Sequence, residues 1–286
     1  MAKDSGPVLQ HRRIGMQLRA LRENSGLTIE QAGEAIGRSD STISRIENGR
    51  RRVQKLEMKG LLDAYGVAEE DRAVMLQFLQ EAPEQAWWTS FDDALPPGLE
   101  TYIGLEADAA TLRVVAPLMV HSLLMIEDYA RAIIRAGKPT APDKEINRLV
   151  ALRMQRQQVL ARQPTPLDLL VVLDEAALRR QVGSAAVMRD QIKHLITSVE
   201  TVPNIAVQVL TFDKGAHAAQ NGGYMILDFP DPADPVIVYV DSPGGNLYIQ
   251  KPQDTRAFTT AFGRLCGAAL SPDESVQFLR TALKET

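Results

Sequence analysis

The 286-residue sequence has a single cysteine, Cys266. That excludes an intramolecular disulfide framework and fits a reducing compartment. No apolar run approaches the ~18 residues of a membrane-spanning helix. Met1 to Gln10 has no apolar signal-peptide core, so a cytoplasmic, nucleoid-associated protein is expected. The four histidines, His11, His121, His194 and His217, show neither H-x-x-x-H nor H-x-E spacing, and no metal is expected. No G-x-S-x-G context is present. The Gly-Gly pairs lack the Lys-Ser/Thr of a phosphate loop, so no cofactor is expected. Asp213 and His217 share one loop and could form an acid–base pair, but no nucleophile context accompanies them. Asp174 and Glu175 are adjacent at a strand end, which suits a helix start better than a shared proton. The expectation is a protein that is not an enzyme.

Net charge is small overall, and the charges are unevenly placed. The formal net charge is −4, which alone argues against nucleic acid. Yet residues 11 to 60 hold eleven Lys/Arg against six Asp/Glu, whereas residues 61 to 286 hold twenty against twenty-nine. A basic head joined to an acidic body is the footprint of a DNA-binding module on a domain with another task. At 45% hydrophobic residues, the chain has enough apolar material for two real cores.

The basic head carries the densest motif. Thr28 to Gln31 fits a capping box, and Ala32 and Ile36 follow at helical spacing. Gly37 supplies a turn, because glycine adopts positive φ without steric cost. Ser39 or Asp40 can cap a second helix whose apolar side is Ile43 and Ile46. Its other side carries Ser41, Thr42, Ser44 and Arg45, residue types that reach base edges in a major groove. Gly49 closes that helix, and Arg50, Arg51 and Arg52 follow.

This segment resembles the helix-turn-helix of Cro/C1-type (XRE) repressors through Arg22, Gly26-Leu27-Thr28, Ala32, Ile36-Gly37, Ile43-Ser44 and Glu47-Asn48-Gly49. The resemblance implies a structural salt bridge between Arg22 and Glu47. It places readout side chains at Asp40, Ser41 and Arg45, and phosphate contacts at Asn48 and Arg50 to Arg52. The wider DNA-binding set is Thr28, Arg38, Ser39, Asp40, Ser41, Thr42, Ser44, Arg45, Asn48, Arg50, Arg51 and Arg52. Asp40 departs from the Gln or Ser common in the family. A carboxylate near DNA repels phosphate, so Asp40 either caps the helix, the favoured reading, or accepts from a cytosine amine.

The expected fold class is α+β: an all-α five-helix helix-turn-helix domain at 11–82, a linker at 83–99 and a larger α+β domain at 100–286 with a mostly antiparallel sheet. Residues 11 to 25 read as the first helix, Lys55 to Tyr65 as the fourth and Glu69 to Glu81 as the fifth. The proline-bounded stretch from Pro83 to Pro97 marks the boundary. Trp87 and Trp88 there either dock the linker on the second domain or act as a lever. Beyond it, residues 100 to 137 and 143 to 163 read as helices, the latter with Arg148, Arg153, Arg156 and Arg162 on a charged side. Leu167 to Leu173 reads as a buried strand, Glu175 to Arg180 as a short helix and Val187 to Glu200 as a longer one. Ile205 to Phe212, Tyr224 to Phe229, Val236 to Asp241 and Leu247 to Gln250 read as strands. Asn221 to Gly223 and Ser242 to Asn246 read as turns between them. Thr255 to Leu270 and Pro272 to Lys284 read as closing helices, with Ser271 capping the last. Cys266 falls on an apolar face with Phe258, Phe262, Leu265 and Ala269, so its expected role is packing.

The second domain resembles the C-terminal domain of the actinobacterial WhiJ-like helix-turn-helix proteins. The carriers include Trp87-Trp88, Tyr102 to Ala107, Tyr129-Ala130, Arg153 with Arg156-Gln157, Leu173 to Leu178, Gln191 to Leu195, Val207 to Leu210 and Gly215 to His217. The chain departs from that pattern at His121 to Ile126 and at Thr211. The resemblance implies a small partner protein in a toxin–antitoxin-like or developmental switch. The reading is a sequence-specific transcription regulator, a homodimer on an inverted repeat of double-stranded DNA. Its C-terminal domain binds a small partner protein or, alternatively, a small-molecule effector.

Overall fold

The computed structural model describes all residues except 1–5, 81–85, 92, 94, 97, 243 and 244. Two compact units emerge, Met1–Thr89 and Ser90–Thr286. The linker expected at 83–99 and the turn expected at Ser242 to Asn246 lie partly outside the described residues.

The first unit contains α1 (Pro7–Asn24), α2 (Ile29–Ala35), α3 (Asp40–Glu47), α4 (Lys55–Ala64) and α5 (Glu69–Gln80). The first helix begins before the expected residue 11 because Pro7 occupies its first turn, where a missing N–H costs nothing. Thr28 and Gln31 close the capping box of α2 in both directions. The core joins Ile14 and Leu18 of α1 to Ile43 and Ile46 of α3 and to Met58, Leu61 and Leu62 of α4. Gly15 sets the α1–α3 distance. A Cβ there would stand 2.4 Å from the Ile46 carbonyl oxygen and 2.7 Å from that of Glu47.

The second unit opens with α6 (Leu99–Asp108) and continues into β1 (Thr111–Ala116), α7 (Glu127–Gly137) and α8 (Asp143–Arg156). There follow β2 (Asp168–Asp174), α9 (Glu175–Arg179), α10 (Ala185–Thr201) and β3 (Ile205–Leu210). The chain ends with β4 (Tyr224–Asp228), β5 (Ile237–Val240), β6 (Leu247–Ile249), α11 (Pro252–Ala268) and α12 (Pro272–Glu285). The sheet runs β3-β2-β1-β4-β5-β6. Pairing is parallel for β1–β2 and β2–β3, and antiparallel for β1–β4, β4–β5 and β5–β6. The fold is α+β with a mixed, mostly antiparallel sheet.

Two expectations need correction. Residues 100 to 137 are not one helical stretch, because β1 interrupts them and forms the centre of the sheet. Thr111 to Ala116 is short and apolar, with three β-branched residues, and only its pairing with β2 and β4 settles it as strand. Residues 143 to 163 are α8 followed by a short 3-10 turn at Gln157–Leu160. Nor is the arginine side of α8 uniformly solvated: Arg156 is 6% exposed.

Side-chain alternation gives the sheet two different faces. Val115, Val172, Ile226 and Val238 pack with Phe262 and Leu265 of α11, and Cys266 lies against this cluster. Burial raises the Cys266 thiol pKa, in keeping with a packing role. On the opposite parity, Val114, Met225 and Tyr239 form a cross-strand row through β1, β4 and β5. Tyr102 of α6 stacks on Tyr239 with ring centroids 4.3 Å apart.

Candidate nucleic-acid interface

Helix α3 is fixed from both ends. Its N-cap is Ser39, whose Oγ accepts the Thr42 amide at 3.3 Å. Asp40 is therefore not the cap, contrary to the favoured reading. It occupies the first helical position, where its Oδ1 accepts the Ser41 amide at 2.6 Å. The Ser39 hydroxyl reaches the third helical amide, so no second cap is needed. Behind the helix, Arg22 Nε donates to Glu47 Oε1 at 2.6 Å and Nη2 donates to Oε2 at 3.0 Å. Arg22 Nη1 donates to the Leu27 carbonyl at 2.8 Å, so the guanidinium ties α1 to both the α2 approach and the end of α3. The hydrogen bond to Glu47 raises the Arg22 pKa against the effect of burial.

The exposed side of this frame carries Ser39, Asp40, Ser41, Arg45 and Arg50, with Thr28 and Arg38 exposed nearby. Arg45 lies along its own helix, Nε donating to the Ser41 carbonyl at 3.3 Å. Ser44 and Asn48 are half-buried, and the Asn48 amide donates to the Ser44 carbonyl at 2.7 Å. Thr42 is buried and shares a 3.0 Å hydroxyl contact with Ser39, so it faces the cap rather than the outer surface.

The arginine run divides. Arg50 is exposed, whereas Arg51 is half-buried and donates to Glu57 Oε1 at 2.9 Å. Arg38 Nε donates to the same oxygen at 2.8 Å. Glu57 also accepts the Gln54 amide at 3.0 Å, capping α4. Burial pushes the Glu57 pKa up, but the bonds from Arg51, Gln54 and Arg38 outweigh it and the net shift is down. Glu57 was absent from the sequence-based set, because its role depends on α4 returning beside the turn. Arg52 is half-buried near His11, whose pKa falls to about 4, first through burial and then through the Arg52 charge.

In the second unit the loop candidates separate. Asp213 accepts from the Thr211 hydroxyl, while His217 Nε2 lies 3.8 Å from Asp174 Oδ2. Asp213 and His217 thus have different partners, and the acid–base pair drawn from their shared loop does not form. Asp174 caps α9 through the Ala176 amide, and Glu175 accepts from Arg179 and from the Phe212 amide. Among the described residues, no group of three His, Cys, Asp or Glu side chains is placed to hold a metal. No described helix is long and apolar enough to cross a membrane. The most buried ion pair among the described residues of this unit was not foreseen. Arg156 Nε and Nη2 each donate to a Glu106 oxygen at 2.8 Å, with exposures of 7% and 1%.

A capped second helix with exposed serines and an arginine, braced by a buried ion pair and followed by basic side chains, defines a helix-turn-helix DNA-binding domain. Residues 13–75 match the family described as a helix-turn-helix domain. Residues 99–281 match the domain of unknown function DUF5753, and the chain belongs to that family. The HTH-type transcriptional repressor RghR of Bacillus subtilis (strain 168) is 41% identical over 72 residues, which is 25% of this chain. The match spans about half of that relative's length, 53%. No solved structure matches the chain.

Proposed function

We propose that the protein is a non-enzymatic, sequence-specific transcription regulator that binds an inverted repeat as a homodimer. The observation that carries this reading is the exposed Ser41–Arg45 side of α3, held in place by the Ser39 cap and the Arg22–Glu47 pair. Serine hydroxyls and an arginine fork suit base edges, and the exposed Arg50 suits a phosphate. One such helix reads only a few base pairs, so useful specificity requires two half-sites about 34 Å apart or a multiple of that. The name of RghR supports repression as the direction of regulation.

The test is selection of bound genomic fragments by the purified protein, repeated with Arg45→Ala. An enriched inverted repeat is expected, with the variant losing about 1–3 kcal/mol of discrimination at one base position. Equal weakening on every sequence would assign Arg45 to phosphate instead.

For the C-terminal domain, the resemblance to WhiJ-like proteins supports a small partner protein. A second reading, a small-molecule effector, has its own observation: a cavity of about 590 Å³ within the second unit, within the usual size range of ligand sites.

A further inference from the structure

The cavity lies at the carboxyl end of β1, beside β4. There the chain leaves the central strand, and its two neighbours run on to opposite edges of the sheet, β2 to one side and β4 to the other. The cavity floor is the apolar row Val114, Met225 and Tyr239.

Two polar groups on its wall have unused donors. His121 Nδ1 accepts the Leu123 amide at 3.4 Å, which puts the proton of the neutral ring on Nε2. That Nε2 is buried without a hydrogen-bond partner, although His121 is only 6% exposed. Burial, then the charges of Arg156 and Arg153, lower the His121 pKa to about 3, so the ring is neutral at ordinary pH.

Arg153 stands beside it. Among the described residues its guanidinium makes one hydrogen bond, to Met125 Sδ at 3.5 Å. Burial, then the adjacent Arg156 charge, lower its pKa to about 10, with Asp241 acting in the opposite direction. Asp241 is exposed at the rim, where water screens it. Arg156 itself is engaged by Glu106. Arg153 is therefore a cation in the wall of an apolar cavity, with no paired carboxylate among the described residues.

We propose that this cavity binds a small organic monocarboxylate, its apolar body on the Val114–Met225–Tyr239 floor and its carboxylate on Arg153, beside the neutral His121 ring. A carboxylate there pairs with the Arg153 guanidinium, and charge-assisted hydrogen bonds of this kind are the strong ones. The segment from His121 to Ile126 is well suited to hold its place. Gln157 donates to the Ser122 and Met125 carbonyls, and Gln191 bonds the Leu124 carbonyl and the Ile126 amide. This inference deepens the effector reading of the C-terminal domain and is independent of how α3 reads DNA.

The experiment is calorimetric titration of the full-length protein with 2-naphthoate and decanoate, each against its neutral amide. One-to-one binding of at least one acid, at least about tenfold tighter than its amide, is the expected result. Arg153→Gln should remove that preference, while Arg131→Gln in the separate α7–α8 groove should leave it intact. Arg153 has no paired carboxylate, so its replacement should not unfold the domain; circular dichroism checks this. In the wild type, the His121 Nε2 resonance of ¹⁵N-histidine-labelled protein should move on adding the acid, a readout that needs no variant. Equal binding of acid and amide, an acid preference that survives Arg153→Gln, an unmoved His121 signal, or no binding by either acid would each overturn the proposal. The same acid added to the operator complex separates the two readings. Binding without a change in DNA affinity keeps the cavity assignment and removes its regulatory link. DNA binding that persists while neither acid binds removes the cavity assignment alone.

Discussion

The two units each bury one bidentate arginine–glutamate pair, yet the pairs have different surroundings. Arg22 and Glu47 meet at 2.6 Å and the remaining guanidinium donor goes to the Leu27 carbonyl, so the pair closes a small all-helical frame. Arg156 and Glu106 meet at 2.8 Å beside a cavity whose neighbouring donors, on Arg153 and His121, lack such partners. Removing two charges from water is costly, and a buried pair persists when geometry and further hydrogen bonds offset that cost. In the first unit the Leu27 carbonyl adds a third acceptor to the two Glu47 oxygens. In the second the Ser122 hydroxyl adds to the two Glu106 oxygens, and the adjoining wall carries the proposed carboxylate site.

The comparison breaks most sharply by removing the acids. Glu47→Ala should cost about 3–5 kcal/mol of stability in the first unit, because it leaves Arg22 charged and buried. Glu106→Ala should fall at or below the low end of that range, since the Arg156 guanidinium has a cavity open to water beside it. Urea unfolding followed separately for each unit measures both, and equal costs would erase the distinction. Next comes Gly15→Ala. A methyl group there meets two backbone carbonyls, so a loss of about 1–3 kcal/mol or more is expected in the first unit alone. Ser39→Ala should cost about 1 kcal/mol by removing the α3 cap, whereas Asp40→Ala should cost less; the reverse order would restore Asp40 as the cap. The smallest effect is on salt dependence. Arg50→Ala should lower the slope of log affinity against log salt by about 1, and Arg51→Ala by less, because Glu57 already holds Arg51.

Most of the first unit was legible because its signals are local. A capping box spans Thr28 to Gln31, and the spacing of Ile43 and Ile46 fixes which side of α3 faces the core. What sequence reasoning missed in this unit was Glu57, reached from another element, holding both Arg38 and Arg51, and, locally, Thr42 turning inward to Ser39. In the second unit the edge and hairpin strands announced themselves through turn residues, but β1 did not. Six residues of mixed pattern between helices carry little periodicity, and the pairing partners of β1 lie dozens of residues away. Arg156 likewise read as part of the charged side of its helix until Glu106, fifty residues earlier, came into contact with it.

The sequence by itself determined the helix-turn-helix, its basic surroundings and the α+β character of the remainder, since capping, turn chemistry and apolar period act over a few residues. Only the tertiary structure decided that β1 is central, that Glu57 holds Arg38 and Arg51, and that His121 and Arg153 line one cavity. Those outcomes depend on desolvation and on partners brought in from far along the chain, and no local pattern encodes either.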